Sequence, residues 1–428
     1  MPNTHEEAPF EVEIELMGGG GVGMGRHKNR TVFVPYTIPG ETVLAQPVGS
    51  NDHLIHANGI TLVDASADRV IPRCPHFGPG RCGKCQWQHI DYDAQVLIKH
   101  DVLADQLERG GIRNPPLRSV IASPKAWVYN YHMTFGIGGR NGSESSEAVD
   151  PAALYLGFPS IDNEQRLIRI EECHVLHPDL LDLYDQLDLD LSGLRRVKMQ
   201  IGSDGGMMLI LTALTDTAPE LETELRVSVN LILPDNEPMN LIGDSHTRYD
   251  VNGHLFRVTA GSYYRANAEQ VPQLVNTVLE LLDPQVDEAV LDLYAGVGVF
   301  SAFLAPRVDL VSMIESYPPA VTDAEKNLEA FENVDVFEGS VDAVLNSLDE
   351  TYTAAVIDPP PQGMSADALR TLSELGMERA VYLADDPSAL TKTIKMFRKQ
   401  GYELAVVQPI DFAPQTHYLD MAALFIRQ

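Results

Sequence analysis

Hydrophobic and polar positions alternate with a period of two through much of the first 260 residues, and the pattern then changes. Residues 8–62 open with EVEIEL, pass through a glycine-rich run from Gly18 to Gly25, and continue as VFVPYTIPGETVLAQPV. Short runs rich in Val, Thr and Ile, punctuated by glycine, predict a small closed barrel of five strands, OB-like in type. From residue 90 the spacing becomes helical. DYDAQVLIKHDVLADQLERGG predicts one helix over 92–111, stopped by Gly110 and Gly111. Alternation returns in ALYLGF, RLIRIEE, RRVKMQIG and GGMMLILTAL, which predict a mixed central domain over 63–245. A helix is expected from Glu269 to Leu282. Beyond it, apolar runs alternate regularly with helical stretches. Strands are expected at 289–294, 310–314, 334–338, 353–358, 379–384, 402–407 and 420–427. This predicts a third unit, 246–428, built as a seven-stranded sheet with helices on both faces. The fold class expected is therefore α/β plus β.

Composition narrows the picture. A chain of 428 residues with 44% hydrophobic positions can build two to four domains with sizeable cores. No apolar run approaches the roughly 20 residues that span a bilayer. The start, MPNTHEEAPFEVEIELM, is acidic and lacks the basic-then-apolar order of a signal peptide, so a cytoplasmic protein is expected. Lys and Arg total 31 against 61 Asp and Glu, a formal net charge of -30. Such a field repels polyanions over about a Debye length, about 8–10 Å at physiological salt. It disfavours a general grip on nucleic acid and leaves room for a local basic groove, or for a saline habitat.

The candidate chemistry gathers in 289–300, AVLDLYAGVGVF. An apolar run ends at Asp292, a turn carries Tyr294, Gly296 and Gly298, and a helical pattern resumes at Phe300. This is strand, tight turn, helix, and ligands of such sheets sit at the carboxyl ends of the strands. Ser301 stands where the dinucleotide fingerprint has its third glycine, which disfavours a pyrophosphate-bearing cofactor. The next strand ends in Glu315, suited to two ribose hydroxyls, and a later one ends in Asp358, Pro359 and Pro360. Together these resemble the S-adenosylmethionine pocket of a class I methyltransferase.

The four cysteines are too few for a disulfide framework in a chain of this length. Cys74, Cys82 and Cys85 cluster in CPHFGPGRCGKCQWQH, and Cys173 stands alone in IEECHVLHP. Three clustered ligands and one remote suit a [4Fe–4S] cluster. Structural zinc and free buried thiols are the alternatives. The pattern resembles the iron–sulfur site of the bacterial RNA (uracil-5-)methyltransferase family, with two extra residues between Cys74 and Cys82. The resemblance covers nearly the whole chain. Residues 8–62 resemble the RNA-binding TRAM barrel, with Arg26, Lys28 and Arg30 as either a phosphate contact or a solvated hairpin tip. The helix over 92–111 resembles one that packs on the family's catalytic domain. Gly261, Ser262, Tyr263, Tyr264, Asn267 and Gln270 fall on the segment preceding the sheet. The resemblance implies S-adenosylmethionine as cofactor, with Arg265, Asp292, Tyr294, Gly296, Gly298, Glu315 and Asp358 around it, and rRNA or tRNA as partner.

The resemblance also locates what has changed. In the family a cysteine thiolate adds to C6 of uracil, C5 becomes nucleophilic, and a glutamate removes its proton. In VYLADDPSAL, Tyr382, Leu383 and Pro387 fit the family pattern, but Asp385 takes the cysteine's place. In DFAPQTHYLDMAALF, Pro414 and Thr416 fit, but Asp420 takes the glutamate's place and Tyr418 a histidine's. Arg265 stands for a glutamine, Pro361 for the arginine after Asp-Pro-Pro, and Ser340 for an acid. After Trp127 and Tyr129, Asn130, Tyr131 and His132 replace much of the family's positive charge. A carboxylate is a poor carbon nucleophile, so the covalent route is expected to be lost or altered. Transfer to a nitrogen or oxygen, which needs no enzyme adduct, and a non-catalytic role in binding RNA or protein are the alternatives.

Overall fold

A computed structural model describes residues 8–139, 153–219 and 221–428, so the first seven residues of the acidic start lie outside it. The chain begins with a closed barrel of β1 (Phe10–Met17), β2 (Gly23–His27), β3 (Arg30–Val34), β4 (Thr42–Ser50) and β5 (Leu54–Asp64), ordered β1-β2-β3-β5-β4. Alternation fills it: Val12, Ile14, Val32, Val34, Val43, Ala45, Ile55 and Ala57 point inward. Lys28 and Asn29 make the tight β2–β3 turn, both at positive φ.

Helix α1 (Tyr92–Arg109) follows, capped by the Asp91 side chain. The central sheet comprises β6 (His132–Gly138), β7 (Tyr155–Pro159), β8 (Leu167–Arg169), β9 (Leu194–Ile201), β10 (Met207–Ala213), β11 (Ser228–Ile232) and β12 (Pro238–Ile242). Its order is β12-β11-β10-β9-β6-β7-β8, with only β10 and β11 parallel. Phe135, Phe158, Val197, Met199 and Leu211 bury one face, covered in part by Leu180 and Leu183 of α2 (Pro178–Gln186). A hairpin, β13 (His246–Val251) and β14 (His254–Thr259), leads to α3 (Val271–Leu282).

The last sheet contains β15 (Ala289–Leu293), β16 (Leu310–Glu315), β17 (Val334–Glu338), β18 (Ala354–Ile357), β19 (Arg379–Ala384), β20 (Tyr402–Ile410) and β21 (Asp420–Arg427). It interleaves with α4 (Val299–Leu304), α5 (Pro318–Asn327), α6 (Val341–Leu345), α7 (Ala366–Glu374) and α8 (Pro387–Lys399). The order is β17-β16-β15-β18-β19-β21-β20, and β21 alone runs antiparallel, between β19 and β20. Both faces are buried, as the near-continuous apolar runs require. Val290, Val311, Val356 and Leu383 meet Leu274, Val275 and Val278 on one face. Leu291, Ile314, Ile357 and Ala380 share a core with Leu103, Leu107, Leu369, Ile394 and Phe397 on the other. Helix α1 thus packs on the last sheet, while its Ala94, Ile98 and Val102 share a smaller core with Met17 and Ile38 of the barrel. No helix among the described residues is long and apolar enough to cross a membrane.

One polar contact fixes α1 there. Gln95, Lys99, Leu103 and Leu107 form a buried stripe at spacing four. Lys99 Nζ donates to Asp411 Oδ1 at 2.7 Å and to the Ala413 carbonyl at 3.0 Å, with both charged side chains 0% exposed. The Tyr92 hydroxyl donates to the other Asp411 oxygen at 3.0 Å. Removing one partner strands the other charge in the core. Lys99→Met is therefore expected to cost about 3–5 kcal/mol of unfolding free energy, and a double variant with Asp411→Leu to recover most of it. Urea unfolding of the three proteins checks this.

Candidate active site and cysteine cavity

The carboxyl ends of β15, β16, β18 and β19, with the start of β21, enclose a cavity of about 420 Å³. Its walls include Tyr263, Arg265, Tyr294, Gly296, Glu315, Asp358, Asp385 and Asp420. Seven of the residues expected around a cofactor or in catalysis therefore meet in one place.

The turn after β15 shapes one side. Tyr294 and Gly296 have φ of 60° and 56°, the left-handed region, which for a tyrosine stores about 1–3 kcal/mol of strain. A Cβ added to Gly296 would meet nothing within 4 Å, so the cavity is open above it. Glu315 Oε2 accepts from the Gly296 amide at 2.9 Å, and its other oxygen from the Ser316 and Tyr317 amides at 2.6 and 2.7 Å. Asp292 and Gly298 are placed differently. A Cβ on Gly298 would stand 2.8 Å from Leu328 Cδ1, so this glycine, at φ 81°, allows α4 to approach α5. Asp292 is fully buried behind the turn. One carboxylate oxygen accepts from the Ser301 amide and hydroxyl at 2.9 and 2.6 Å, and the other has no partner. Burial pushes its pKa up to about 7. Ser301, at the missing third glycine, is thus the residue that holds Asp292.

Opposite the turn lies a cluster of charge. Arg265 grips Asp358 with both terminal nitrogens, at 2.7 and 3.1 Å, and its Nε donates to Asp420 at 3.4 Å. Its guanidinium lies 5.4 Å from the Phe412 ring centroid. Asp385, just past β19, is exposed at the cavity's edge. Burial, with Asp358 and Asp385 nearby, pushes Asp420 up to about 6 despite Arg265. No thiol lines this cavity.

All four cysteines line a second cavity instead, with His76, Phe77, Gln88, Phe158 and Val175. They are free thiols. Burial pushes Cys85 and Cys173 up, Cys173 to about 11, and the neighbouring cysteines add to both shifts. Such crowding makes the ionised thiols mutually repulsive unless a cation lies between them. No three His, Cys, Asp or Glu side chains among the described residues are gathered as closely as a single metal ion needs. Four convergent thiols spread around a gap are compatible with a larger centre. The segment after Cys85 also reaches the loop that leads to Asp420: the Gln86 and Trp87 amides both donate to the Gln415 carbonyl at 3.0 Å. Sequence reasoning missed this link and the Lys99–Asp411 pair. The signal for the pair was a lysine on the apolar stripe of α1.

A sheet ordered 3-2-1-4-5-7-6 with its last strand reversed, and a glycine-lined cavity at the strand ends, define a class I methyltransferase fold. No family model matches the chain. A Streptomyces avermitilis protein described as an uncharacterized RNA methyltransferase is 30% identical over 440 residues, 97% of each chain. The 23S rRNA (uracil(1939)-C(5))-methyltransferase RlmD of Shewanella sediminis is 28% identical over 445 residues, 99% of this chain and 98% of that one. The crystal structure of Pyrococcus abyssi tRNA (uracil-54, C5)-methyltransferase with S-adenosyl-L-homocysteine superposes with a TM-score of 0.72 over 97% of this chain and 100% of that one, at 19% identity. The chain belongs to the RNA (uracil-5-)methyltransferase family.

The Asp420 shift has a sign that can be tested. A carboxyl whose folded pKa exceeds its ordinary 3.8 favours the fold below that pH, and the contribution is lost as pH rises through about 6. Asp420→Asn cannot ionise. It is expected to raise the melting temperature above pH 6 and to lose that advantage towards pH 3.8. Thermal melts across this range decide it.

Proposed function

We propose that this protein binds S-adenosylmethionine in the strand-end cavity and acts on RNA without the family's thiolate step. The observation that carries this reading is Asp385 in a cavity that no cysteine reaches. Tyr294, Gly296, Glu315 and Asp358 are suited to hold the donor, with Glu315 turning from backbone amides to ribose hydroxyls. The open space above Gly296 fits an incoming ligand. The donor supplies an electrophilic methyl group. Arg265 holds Asp358 and Asp420 in place, and Asp420, at about 6, can take a proton near neutral pH. Adding a carboxylate to C6 of a pyrimidine gives an adduct that collapses at once, so Asp385 does not replace the thiolate.

A second reading, transfer to a nitrogen or oxygen, is favoured by Asp420 as a base at a site needing no adduct. Titration calorimetry with S-adenosylmethionine, followed by nucleoside analysis of RNA incubated with the protein, tests both. The expected result is donor binding without 5-methyluridine. A methylated nitrogen or ribose oxygen selects the second reading, and 5-methyluridine overturns the first. Glu315→Ala is expected to weaken donor binding by about tenfold or more, as loss of charge-assisted hydrogen bonds does.

We also infer a [4Fe–4S] cluster held by Cys74, Cys82, Cys85 and Cys173. The lining of one cavity by all four free thiols supports it. Its role would be to brace the cysteine segment against Gln415. Anaerobic purification should give a brown protein with iron and labile sulfide in equal amounts, and Cys82→Ser should lose the colour. A colourless protein with stoichiometric zinc would refute the cluster.

A further inference from the structure

Two cations on the central sheet stand apart from the acid excess of the chain. In the pairing of β6 with β9, Thr134 lies opposite Lys198, and Gly136 opposite Arg196. In the pairing of β9 with β10, Lys198 lies opposite Ile210, and Arg196 opposite Thr212. Directly paired residues share a face of the sheet, so Lys198, Arg196, Thr134 and Thr212 form one patch. It lies on the face opposite α2, because Phe135 and Val197 alternate with these positions and fill the core on that side.

Neither cation has a carboxylate partner among the described residues. Arg196 Nε donates to the Thr212 hydroxyl at 3.2 Å. The charge acting on Lys198 is Arg196 itself, and burial and that repulsion push Lys198 down to about 8. The other titratable group close by is His132, which burial and Lys198 hold in the neutral form. Two like charges side by side, unanswered in a chain of net charge -30, are costly unless an anion visits them. The patch also points at the active site. His132 bonds the Tyr264 carbonyl at 2.7 Å through Nε2, between Tyr263 and Arg265 of the cavity wall. From there Lys198 and Arg196 step outward along β9, about 6.6 Å apart at the rise of a strand. That matches successive phosphates of an extended nucleic-acid strand.

We propose that Arg196 and Lys198 bind consecutive phosphates of the RNA strand beside the nucleotide entering the cavity. This rests on the RNA reading above. It also answers the loss of charge at Asn130, Tyr131 and His132. The cations that β6 lacks are carried by the neighbouring strand, on the same face of the same sheet. Thr134 and Thr212 supply further donors, and the contact carries no sequence information.

The test is fluorescence polarisation with a labelled single-stranded RNA of mixed sequence, between about 50 and 200 mM salt. Wild type is expected to bind with a log–log salt slope that shrinks by about one for each of Arg196→Gln and Lys198→Gln. Arg196→Glu, at an exposed position, should lower affinity by about tenfold or more at the low-salt end without moving the melting temperature. Wild-type affinity should fall above pH about 8, as Lys198 loses its proton, and Lys198→Gln should abolish that fall. Variants with unchanged slope and affinity, beside a wild type that binds, overturn this proposal alone. A wild type that binds no RNA at any salt overturns the RNA reading with it.

Discussion

The buried pair of Lys99 and Asp411 is the contact on which the geometry of the active site depends. It joins a helix before the central sheet to the loop that introduces the final strand. Around that loop, Gln95 receives the Gln415 amide at 2.8 Å, Tyr129 donates to the Pro414 carbonyl at 2.8 Å, and Asn267 to the Phe412 carbonyl at 3.2 Å. The loop spans 411–419 and makes few bonds to itself, so its shape is imposed from outside. Its last residue hands directly to Asp420. A buried ion pair is weak evidence of stability, because desolvation offsets much of its attraction. What it supplies here is register.

The same loop ties the two cavities together. Cys85 is followed at once by the two amides that bond Gln415, and Tyr129 lies against the cysteines on one side and Pro414 on the other. The cysteine site is therefore tied to the loop that leads to Asp420, although the two cavities share no lining residue.

Much of this was legible in the sequence. The strand runs after 289 are long, apolar and evenly spaced, and buried parallel strands produce that signal with little ambiguity. The expected 402–407 extends to Ile410 because β20 continues as an outer strand held by Leu117 and Ile121, partners remote in sequence. The turn glycines were readable as a pair but not as separate roles. Gly296 faces open space and Gly298 faces Leu328, and only the helix behind them distinguishes the two. Asp292 looked like a ligand contact and is instead held by Ser301, whose presence had been read only as a missing glycine. The neutral stretch after Tyr129 leads into β6, whose neighbour β9 carries Arg196 and Lys198, since sheet neighbours are not sequence neighbours.

The strand-end cavity gathers three carboxylates around one arginine. Asp385 adds negative charge near Asp420, whose ionisation burial and Asp358 already oppose. At an effective dielectric near 20, charges about 4 Å apart interact by about 4 kcal/mol, so such an addition needs an answer. Arg265 answers the two inner carboxylates, and water the outer one. The arginine takes Asp358 with two nitrogens and Asp420 with the third, and reaches both from the segment that also contacts the central sheet. A decaying site accumulates changes independently, and unpaired charges in a cavity about one-fifth exposed or less would be expected there. Here Asp420 and Arg265 satisfy each other, while Asp385 sits at the edge where water can solvate it. Charge compensation of this kind lets the carboxylates share one folded, ligand-accessible cavity.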